Sequence, residues 1–175
     1  VLGLGYPGGP LIDKVAQNGD KNAFPLPQPS IENSLDFSFS GLKTAAIQQL
    51  DRFKREAEKQ GIGWTELCPV KDFAATFQEA VVKTLVSHMR DALEQTHYDT
   101  IAIAGGVSAN SRLRELVQEL SREKKLKLVM PELTLCTDNA AMVASAGYYA
   151  WQNGRRAKAD QDASSVLDLE RFTQH

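Results

Sequence analysis

The sequence has 175 residues, a net charge of −2 and 42% hydrophobic residues. These values are ordinary for a globular domain, and a chain of this length buries roughly 70% of its unfolded surface without needing disulfides. The two cysteines, Cys68 and Cys136, form no CxxC pair, so the sequence indicates neither a disulfide framework nor a cysteine zinc site. A pI near 5.9 excludes the uniformly basic surface of a non-specific nucleic-acid binder.

The sequence shows no membrane-spanning segment. Its longest apolar runs fall short of the roughly 18 residues that a span needs, and no charged-then-apolar signal segment opens it. We therefore expect no membrane partner, and the cysteine usage favours a reducing compartment and a cytoplasmic protein. The first residue is Val1 rather than methionine, and a glycine-rich loop follows at once, which predicts a fragment of a longer protein.

The first half of the chain is predicted to be mainly helical. A short helix is expected after the loop at residues 5–10. Alternating phenylalanine and serine at residues 37–40 predict a short strand, and a helix from Leu42 to Gln60 follows. Pro69 then opens a long helix whose apolar residues step by three and four, which predicts deep burial.

The second half predicts a βαβ unit. Residues Thr100–Ala104 form a short apolar strand that ends in Gly105-Gly106, and a helix leads to a second strand at Lys127–Met130. Such a unit implies parallel strands with a right-handed crossover. A last helix is expected from Asn139 to Gln152, so the fold class is α/β, with a small parallel sheet flanked by helices.

The turn AGGVSAN at residues 104–110 is the strongest local sign of a ligand site. Two glycines at the carboxyl end of a buried strand allow close approach to the backbone, and the unpaired N–H groups of the next helix favour an anion. A nucleotide or phosphate-like ligand is one interpretation. The other is a plain strand-to-helix turn in which Ser108 caps the helix, and the local sequence leaves both open.

A second candidate is CTDNAAM at residues 136–142, at the start of the last helix. Asp138 either caps that helix, which local sequence favours, or acts as a hard oxygen ligand for a metal ion. One carboxylate does not hold a catalytic metal alone. The histidines offer no paired spacing: His88 falls on an apolar stripe typical of a hydrogen-bonded core histidine, His97 lies at a helix end and His175 in the tail.

Two further turns, YPGGP at residues 6–10 and FSFSGLKT at residues 37–44, lie next to helix starts. Each either frames a ligand cleft with backbone N–H groups or is an ordinary loop. The basic clusters at residues 122–127 and 155–158 are interpreted as solvated surface rather than as phosphate contacts.

Taken in order, four motifs resemble one family. LGLGYPGGP, FSFSGLKTA, IAGGVSANSRLR and CTDNAAMVA are similar to the tRNA adenosine threonylcarbamoyltransferase family, formerly described as O-sialoglycoprotein endopeptidases, and their spelling resembles bacterial members. The resemblance implies the carboxyl-terminal lobe of a member of the actin-like, sugar-kinase and Hsp70 superfamily, with an RNase H-like fold. That lobe, with inter-lobe helices, would cover residues 1–154, and a polar tail residues 155–175.

The resemblance also implies an activity. Members move a threonylcarbamoyl group from threonylcarbamoyl-adenylate to the adenosine next to the anticodon of tRNA. By this likeness Gly9 and Asn110 bind the adenylate, and the Gly105-Gly106 turn receives the adenosine. Asp138 matches a ligand of one divalent metal ion, iron or zinc, whose paired histidines belong to the other lobe. The metal site is therefore expected to be incomplete here and the fragment inactive alone.

Implied partners are tRNA, threonylcarbamoyl-adenylate, a shorter paralogue of the same fold and a small P-loop ATPase. We further expect Asp138 and the corner at residues 105–110 to face one shared cavity. Alternatives are a glycoprotein metallopeptidase, for which these residues spell no complete site, and a non-catalytic paralogue, against which the intact motifs argue. A sugar kinase is a more distant alternative, because the fold alone does not fix function. No residue is identified as a general base.

Overall fold

The computed structural model describes residues 2–28, 34–157, 159 and 162. The chain divides into two compact units, residues 1–137 and residues 138–175. The prediction of one lobe over residues 1–154 with a polar tail is not tested by this division and stays a prediction. Among the described residues, no helix combines the length and the apolar character that a membrane span requires.

The first unit is an α/β structure. Its elements are α1 (Gly8–Ala16), α2 (Ser40–Gln60), α3 (Trp64–Leu67), α4 (Val70–Thr96), β1 (Thr100–Ala102), α5 (Ser111–Lys124) and β2 (Lys127–Val129). Short 3₁₀ turns at Gly106–Ala109 and Leu133–Leu135 follow the two strands. The strands pair in parallel, with Ile101 opposite Leu128. The predicted α/β class and the parallel sheet are therefore confirmed.

Helix α4 is the centre of this unit, as its apolar spacing predicts. One hydrophobic cluster packs α4 against the sheet and α5, and it consists of Val82, Ile101, Ile103, Leu113, Val117 and Leu120. A second cluster packs α4 against α2 and the Cys68 turn, and a third, built on alanines, packs it against α1. Full burial of one large aliphatic side chain stabilises the fold by about 1.5–3 kcal/mol. Because the first cluster contains several such side chains from both α4 and the sheet, it is the main hydrophobic contact between them.

Gly19 lies where the end of α1 meets the start of α4. A Cβ at this position would lie 2.1 Å from the carbonyl oxygen of Lys71, so any side chain would collide with the backbone. Next to it, the Asp20 amide donates to the Asp72 carboxylate at 2.9 Å, and the Thr76 hydroxyl donates to the Asp20 carbonyl at 3.2 Å. This joint fixes the direction of α1 relative to α4.

The predicted strand around residues 37–40 is wrong. Residues 34–39 form no strand, and α2 begins at Ser40 rather than Leu42. The Phe37 and Phe39 rings stack on each other with centroids 6.0 Å apart, so their alternation reflects aromatic packing. No pattern in the sequence predicts α3 or the 3₁₀ turn at Leu133–Leu135, because both elements are too short to show a hydrophobic periodicity.

The second unit contains α6 (Ala140–Gln152), close to the predicted helix. The Asn139 side chain caps it by accepting the Met142 N–H at 2.9 Å. The helix ends at Gln152; Asn153 caps its end, and Gly154 follows with a φ of +76°. None of the residues of α6 is buried.

Candidate functional site

The glycine corner, residues 104–110, leaves β1 and leads into α5. Gly105 has a φ of +81°, a conformation that favours glycine. The amide and the hydroxyl of Ser108 both donate to the Gly105 carbonyl, at 2.9 Å and 2.6 Å. Ser108 is buried inside this turn, so the interpretation in which it caps the following helix is wrong.

Asn110 is the residue that caps α5. Its Oδ1 accepts the Leu113 N–H at 2.9 Å, and its Nδ2 donates to Oε1 of Gln78 on α4 at 3.0 Å. Asn110 is only partly exposed, and the Gln78 side chain is buried. Both the oxygen and the nitrogen of the Asn110 side-chain amide therefore make structural hydrogen bonds, in addition to the adenylate contact that the resemblance implies.

Asp13 joins α1 to the start of α5. Its carboxylate accepts the Ser111 hydroxyl at 2.6 Å and the Ser111 N–H at 3.1 Å. Gly9 lies four residues before Asp13 and therefore on the same face of α1. Since Ser111 follows Asn110 in the chain, this bond brings the helix that carries Gly9 to the glycine corner.

A charged clamp fixes α5 to α4 beside this joint. The Arg112 guanidinium donates to both oxygens of Glu79, at 2.6 Å and 2.9 Å, and also reaches Glu115. Burial raises the pKa of Glu79, but the hydrogen bonds and charge of Arg112, with the charges of Lys21 and Lys83, bring it below its ordinary value. The pKa of Arg112 is raised, chiefly by its hydrogen bond to Glu79. Both groups are held in their charged forms.

Two cavities lie near these elements. An apolar cavity of about 350 Å³ is bordered by Gly8 and Ile12 of α1 and by Lys43 and Ile47 of α2. Residues from the YPGGP and FSFSGLKT turns therefore do meet around one space. A more polar cavity of about 420 Å³ lies between α1, α4 and α5, on the side of Lys21.

Two of the predicted glycines lie in open positions. At both Gly9 and Gly106, an added Cβ would meet no atom within 4 Å, and neither has a positive φ. Gly9 is in the first turn of α1, where glycine weakens a helix relative to alanine. Neither packing nor backbone conformation within the described residues explains why these two positions are glycine.

Asp138 lies in the second unit, directly before Asn139. Because Asn139 caps α6, the interpretation of Asp138 as the helix cap is wrong. Its side chain is exposed, and no hydrogen bond or ion pair to another described residue involves it. Within the described part of the chain, no group of three or more histidine, cysteine or acidic residues is placed to hold a metal ion. The shared cavity of Asp138 and the glycine corner stays a prediction.

Of the two described histidines, one is a core residue of α4 and the other ends that helix. His88 is buried, with Nδ1 2.9 Å from the Thr84 carbonyl oxygen and Nε2 3.1 Å from that of Asp36. This confirms its interpretation as a hydrogen-bonded core histidine. His97 ends α4 in a left-handed conformation, and His175 lies outside the described residues.

Sequence reasoning missed Asp13, Gln78, Glu79 and Arg112, which hold the corner. Asp13 had a signal, because its spacing from Gly9 places both on one face of α1. Glu79 had one too: it is an acidic residue on a helix whose pattern predicts deep burial, where a charge requires a partner. The identity of that partner depends on the tertiary structure, and the sequence does not reveal it.

The fold defines the class of protein first: an α/β lobe built on a parallel βαβ unit, consistent with the actin-like lobe that the resemblance implies. The sequence profile of the tRNA N6-adenosine threonylcarbamoyltransferase family matches residues 1–145. The chain belongs to this family.

Bacterial relatives agree with this assignment. The chain is 45% identical over 170 residues to the tRNA N6-adenosine threonylcarbamoyltransferase of Thermosipho africanus, covering 97% of this chain and 48% of the relative. It is 47% identical over 172 residues to that of Gloeobacter violaceus, covering 97% and 46%. For the relative from Clostridioides difficile the identity is 43% over 155 residues, covering 88% and 44%. The chain thus spans about half the length of the curated relatives it matches.

Proposed function

We propose that this chain contributes the adenylate-binding lobe to a cytoplasmic enzyme that transfers a threonylcarbamoyl group to the adenosine next to the anticodon of tRNA. Family membership supports the reaction class, since the relatives are named as tRNA N6-adenosine threonylcarbamoyltransferases. The observation that carries the site is the pair of open glycines, Gly9 and Gly106. We propose that the chain is inactive alone and that the rest of the enzyme corresponds to the half of the relatives that it does not match.

The open glycines support close contact between a ligand and the backbone. Glycine in the first turn of α1 costs stability and gains nothing from packing or φ among the described residues. A ligand that approaches the backbone supplies the missing reason. Gly9 and the glycine corner are joined through Asp13 and Ser111, so one ligand can contact both. We assign the adenosine to Gly105 and Gly106 and further adenylate contacts to Gly9 and Asn110.

The reaction needs positioning more than it needs a strong nucleophile. The exocyclic amine of adenosine attacks the carbamoyl carbon of threonylcarbamoyl-adenylate, the bond from that carbon to the phosphate oxygen breaks, and AMP leaves with the electron pair. The amine loses one proton. Holding a weakly nucleophilic amine and the acyl carbon in contact supplies much of the rate, and the clamped corner provides a rigid surface for that purpose.

Asp138 is the residue that we assign to a divalent metal ion, iron or zinc. Its exposed carboxylate has no hydrogen bond or ion pair to another described residue, so it suits a hard-oxygen ligand. It supplies one ligand, and the others, which we propose to be paired histidines, lie outside the described residues. Such an ion, when bound, polarises carbonyl and phosphoryl oxygens. The proposed macromolecular partners are tRNA, a shorter paralogue of the same fold and a small P-loop ATPase.

The test is a transfer assay with a protein of the relatives' length that contains this chain. Threonylcarbamoyl-adenylate and unmodified tRNA are supplied, and modified adenosine is measured by mass spectrometry of digested tRNA. Gly9→Ala is the informative variant, and Gly147→Ala is its matched control, because Gly147 is a helical glycine of α6 outside the candidate motifs and an added Cβ there also meets no atom within 4 Å. We expect transfer to fall at least roughly a hundredfold in the first variant only, the cost of displacing a bound group by a methyl.

Three results would count against the proposal. Full transfer by the Gly9→Ala protein would remove Gly9 from the site. Absence of transfer by the unsubstituted protein, combined with cleavage of a glycoprotein, would favour the metallopeptidase alternative. Absence of both activities with intact adenylate binding would favour a non-catalytic paralogue.

A further inference from the structure

Arg114, on the first turns of α5, binds two separate stretches of backbone. Its Nη1 donates to the Ser108 carbonyl at 2.9 Å, inside the glycine corner, and its Nη2 donates to the Pro131 carbonyl at 2.9 Å. Nη1 also lies 3.8 Å from the sulfur of Cys136. Pro131 and Cys136 bound a loop that follows β2, which we call the 131–136 loop.

The two backbone segments that Arg114 connects are each fixed by burial and by internal hydrogen bonds. Ser108 and Cys136 are both buried, with 1% and 3% of their surface exposed. The Cys136 thiol donates to the Glu132 carbonyl at 3.4 Å, which closes the 131–136 loop on itself. One guanidinium therefore connects two turns that each have internal hydrogen bonds. Its two donor nitrogens lie in one planar, rigid group, so the directions of the two bonds are fixed relative to each other.

The position of the Ser108 carbonyl matters for the candidate site. Ser108 stands between the glycine pair and Asn110, and its amide and hydroxyl bind the Gly105 carbonyl, so a bond to the Ser108 carbonyl fixes the residue that closes this turn. Arg112, two residues earlier in α5, is engaged with Glu79, and so the two arginines secure different sides of the same helix start. Nothing else among the side-chain hydrogen bonds of the described residues joins the corner to the 131–136 loop.

We infer that Arg114 is a positioning residue: it holds the glycine corner in its ligand-binding shape and couples it mechanically to the 131–136 loop, whose chain continues to Asp138. The part of this inference that concerns a ligand rests on the proposed function. The coupling itself does not, because it follows from the contacts of one guanidinium with two backbone segments.

A purely stabilising role makes a different prediction. If Arg114 only contributed to the stability of the fold, its loss would raise the population of globally unfolded chains and expose all buried groups together. If it positions the corner, its loss releases the 131–136 loop locally. The labelling rate of the Cys136 thiol measures opening of the 131–136 loop. The labelling rate of Cys68, which is buried in the cluster between α2 and α4, measures global unfolding. Burial raises the pKa of the Cys68 thiol, which slows its reaction further.

The experiment compares four variants of the 175-residue chain with the unsubstituted chain. Arg114→Gln removes the charge and the paired nitrogen donors of the guanidinium, and Arg114→Lys keeps the charge without those paired donors. Val117→Ala is a control for lost stability, because Val117 is fully buried on α5, and Arg122→Gln is a control for lost charge on the exposed side of α5. Thiol labelling under native conditions is located by peptide mass spectrometry, and free energies of unfolding are measured by urea titration.

We expect Arg114→Gln to raise the labelling rate of Cys136 relative to that of Cys68 by at least tenfold. Arg114→Lys should recover part of the protection, and both controls should leave the ratio unchanged. A ratio in Arg114→Gln that equals that of Val117→Ala, after correction for the two free energies of unfolding, would overturn the coupling.

A second readout separates this inference from the proposed function. Binding of AMP to a protein of the relatives' length is measured by calorimetry for the same variants. We expect Arg114→Gln to weaken binding about tenfold, and Val117→Ala and Arg122→Gln to leave it unchanged. If the unsubstituted protein binds AMP and Arg114→Gln binds it equally well, Arg114 does not position the corner. If the unsubstituted protein does not bind AMP, the proposed function fails, while the Cys136 ratio still decides whether the coupling exists.

Discussion

Asn110 and Asp138 have opposite surroundings, although the same resemblance singles out both. Asn110 uses both ends of its amide within the first unit, as the cap of α5 and as the donor to Gln78. Asp138 is exposed in the second unit and has no hydrogen bond or ion pair to another described residue. The corner is thus built by its own hydrogen bonds, whereas the Asp138 carboxylate has no structural duty in the described part of the chain.

This difference teaches how each residue must be tested. A change at Asn110 alters folding and ligand contact together, so its effect on activity needs a partner variant that restores the cap. A change at Asp138 alters chemistry without altering the described hydrogen bonds. Activity and stability should therefore separate at Asp138, whereas at Asn110 they should separate only in a variant that keeps the cap of α5.

The largest effect is expected from Asp138→Asn. Loss of the proposed metal ligand should lower the transfer rate of a protein of the relatives' length on the order of a thousandfold, about 4 kcal/mol of transition-state stabilisation. The Tm should shift by less than about 1 °C, because no described contact is lost. Transfer assays and thermal unfolding check the two numbers, and Asp91→Asn, on the exposed side of α4, controls for the lost charge. A large fall in Tm would show that Asp138 has a structural role after all.

The next largest effect is expected from Glu79→Gln, which breaks the clamp behind the corner. Removal of one partner from a buried ion pair costs roughly 3 kcal/mol. Glu115→Gln is the matched control, because that carboxylate binds the same arginine from an exposed position and should cost less than about 1 kcal/mol. Urea unfolding of both variants measures the costs, and equal costs would show that burial does not strengthen the pair.

The stability that Glu79 contributes should also depend on pH. Its pKa in the folded protein is lowered: burial raises it, but the bonds and charge of Arg112 and the nearby lysines outweigh burial. Because the pKa of Glu79 is lower in the folded protein, the stabilisation is complete at pH values above the pKa of Glu in the unfolded chain, about 4.3. It is lost as the pH falls through the pKa of Glu79 in the folded protein. The difference in Tm between wild type and Glu79→Gln should therefore shrink below about pH 4. A difference that stays constant from pH 7 to pH 3 contradicts this assignment.

Substitution of Asn110 should have a smaller effect on stability and a clear effect on function. Asn110→Ala loses the cap of α5 and should lower the free energy of unfolding by about 1 kcal/mol. Asn110→Ser keeps a capping oxygen, so its stability should be close to wild type, while the amide that reaches Gln78 is lost. We expect both variants to lose transfer. Full transfer by Asn110→Ser would reduce Asn110 to a helix cap.

A small stability effect of the opposite sign is expected from Gly9→Ala. Alanine in the first turn of α1 should stabilise the chain by up to about 0.5 kcal/mol, because no atom lies within 4 Å of the added methyl. Gly147→Ala, in α6, should also stabilise the chain. Thermal unfolding measures both, and a loss of stability in Gly9→Ala would supply a structural reason for this glycine.

The sequence predicts the parts of this molecule that depend on local pattern. The long helix at Val70–Thr96, the parallel pairing of two short strands and the helix at Ala140–Gln152 follow from period and turn residues. The strand around Phe37 fails because alternation describes which side chains share a face, and a strand also needs a hydrogen-bonded neighbour. That segment instead offers the Asp36 carbonyl to His88.

The candidate site is predictable to the level of its motifs and no further. Glycine pairs and the CTDN sequence mark positions, but the bonds of Asp13 to Ser111 and of Glu79 to Arg112 join residues 98 and 33 positions apart. No local pattern encodes such pairs. The structural alternatives that local reasoning offered also named the wrong cap at each helix start, Ser108 and Asp138, because several residues at each turn have capping side chains and the backbone decides among them.

The most direct test of the central claim is a map of the backbone amides that respond to the adenylate. Amide resonances are followed by NMR in a protein of the relatives' length while AMP is added. The account predicts that the amides of Gly9, Gly105 and Gly106 shift together, with one affinity. Shifts confined to Ile47 and Phe77 around the apolar cavity, or to Lys21 and Glu115 around the polar one, would contradict it.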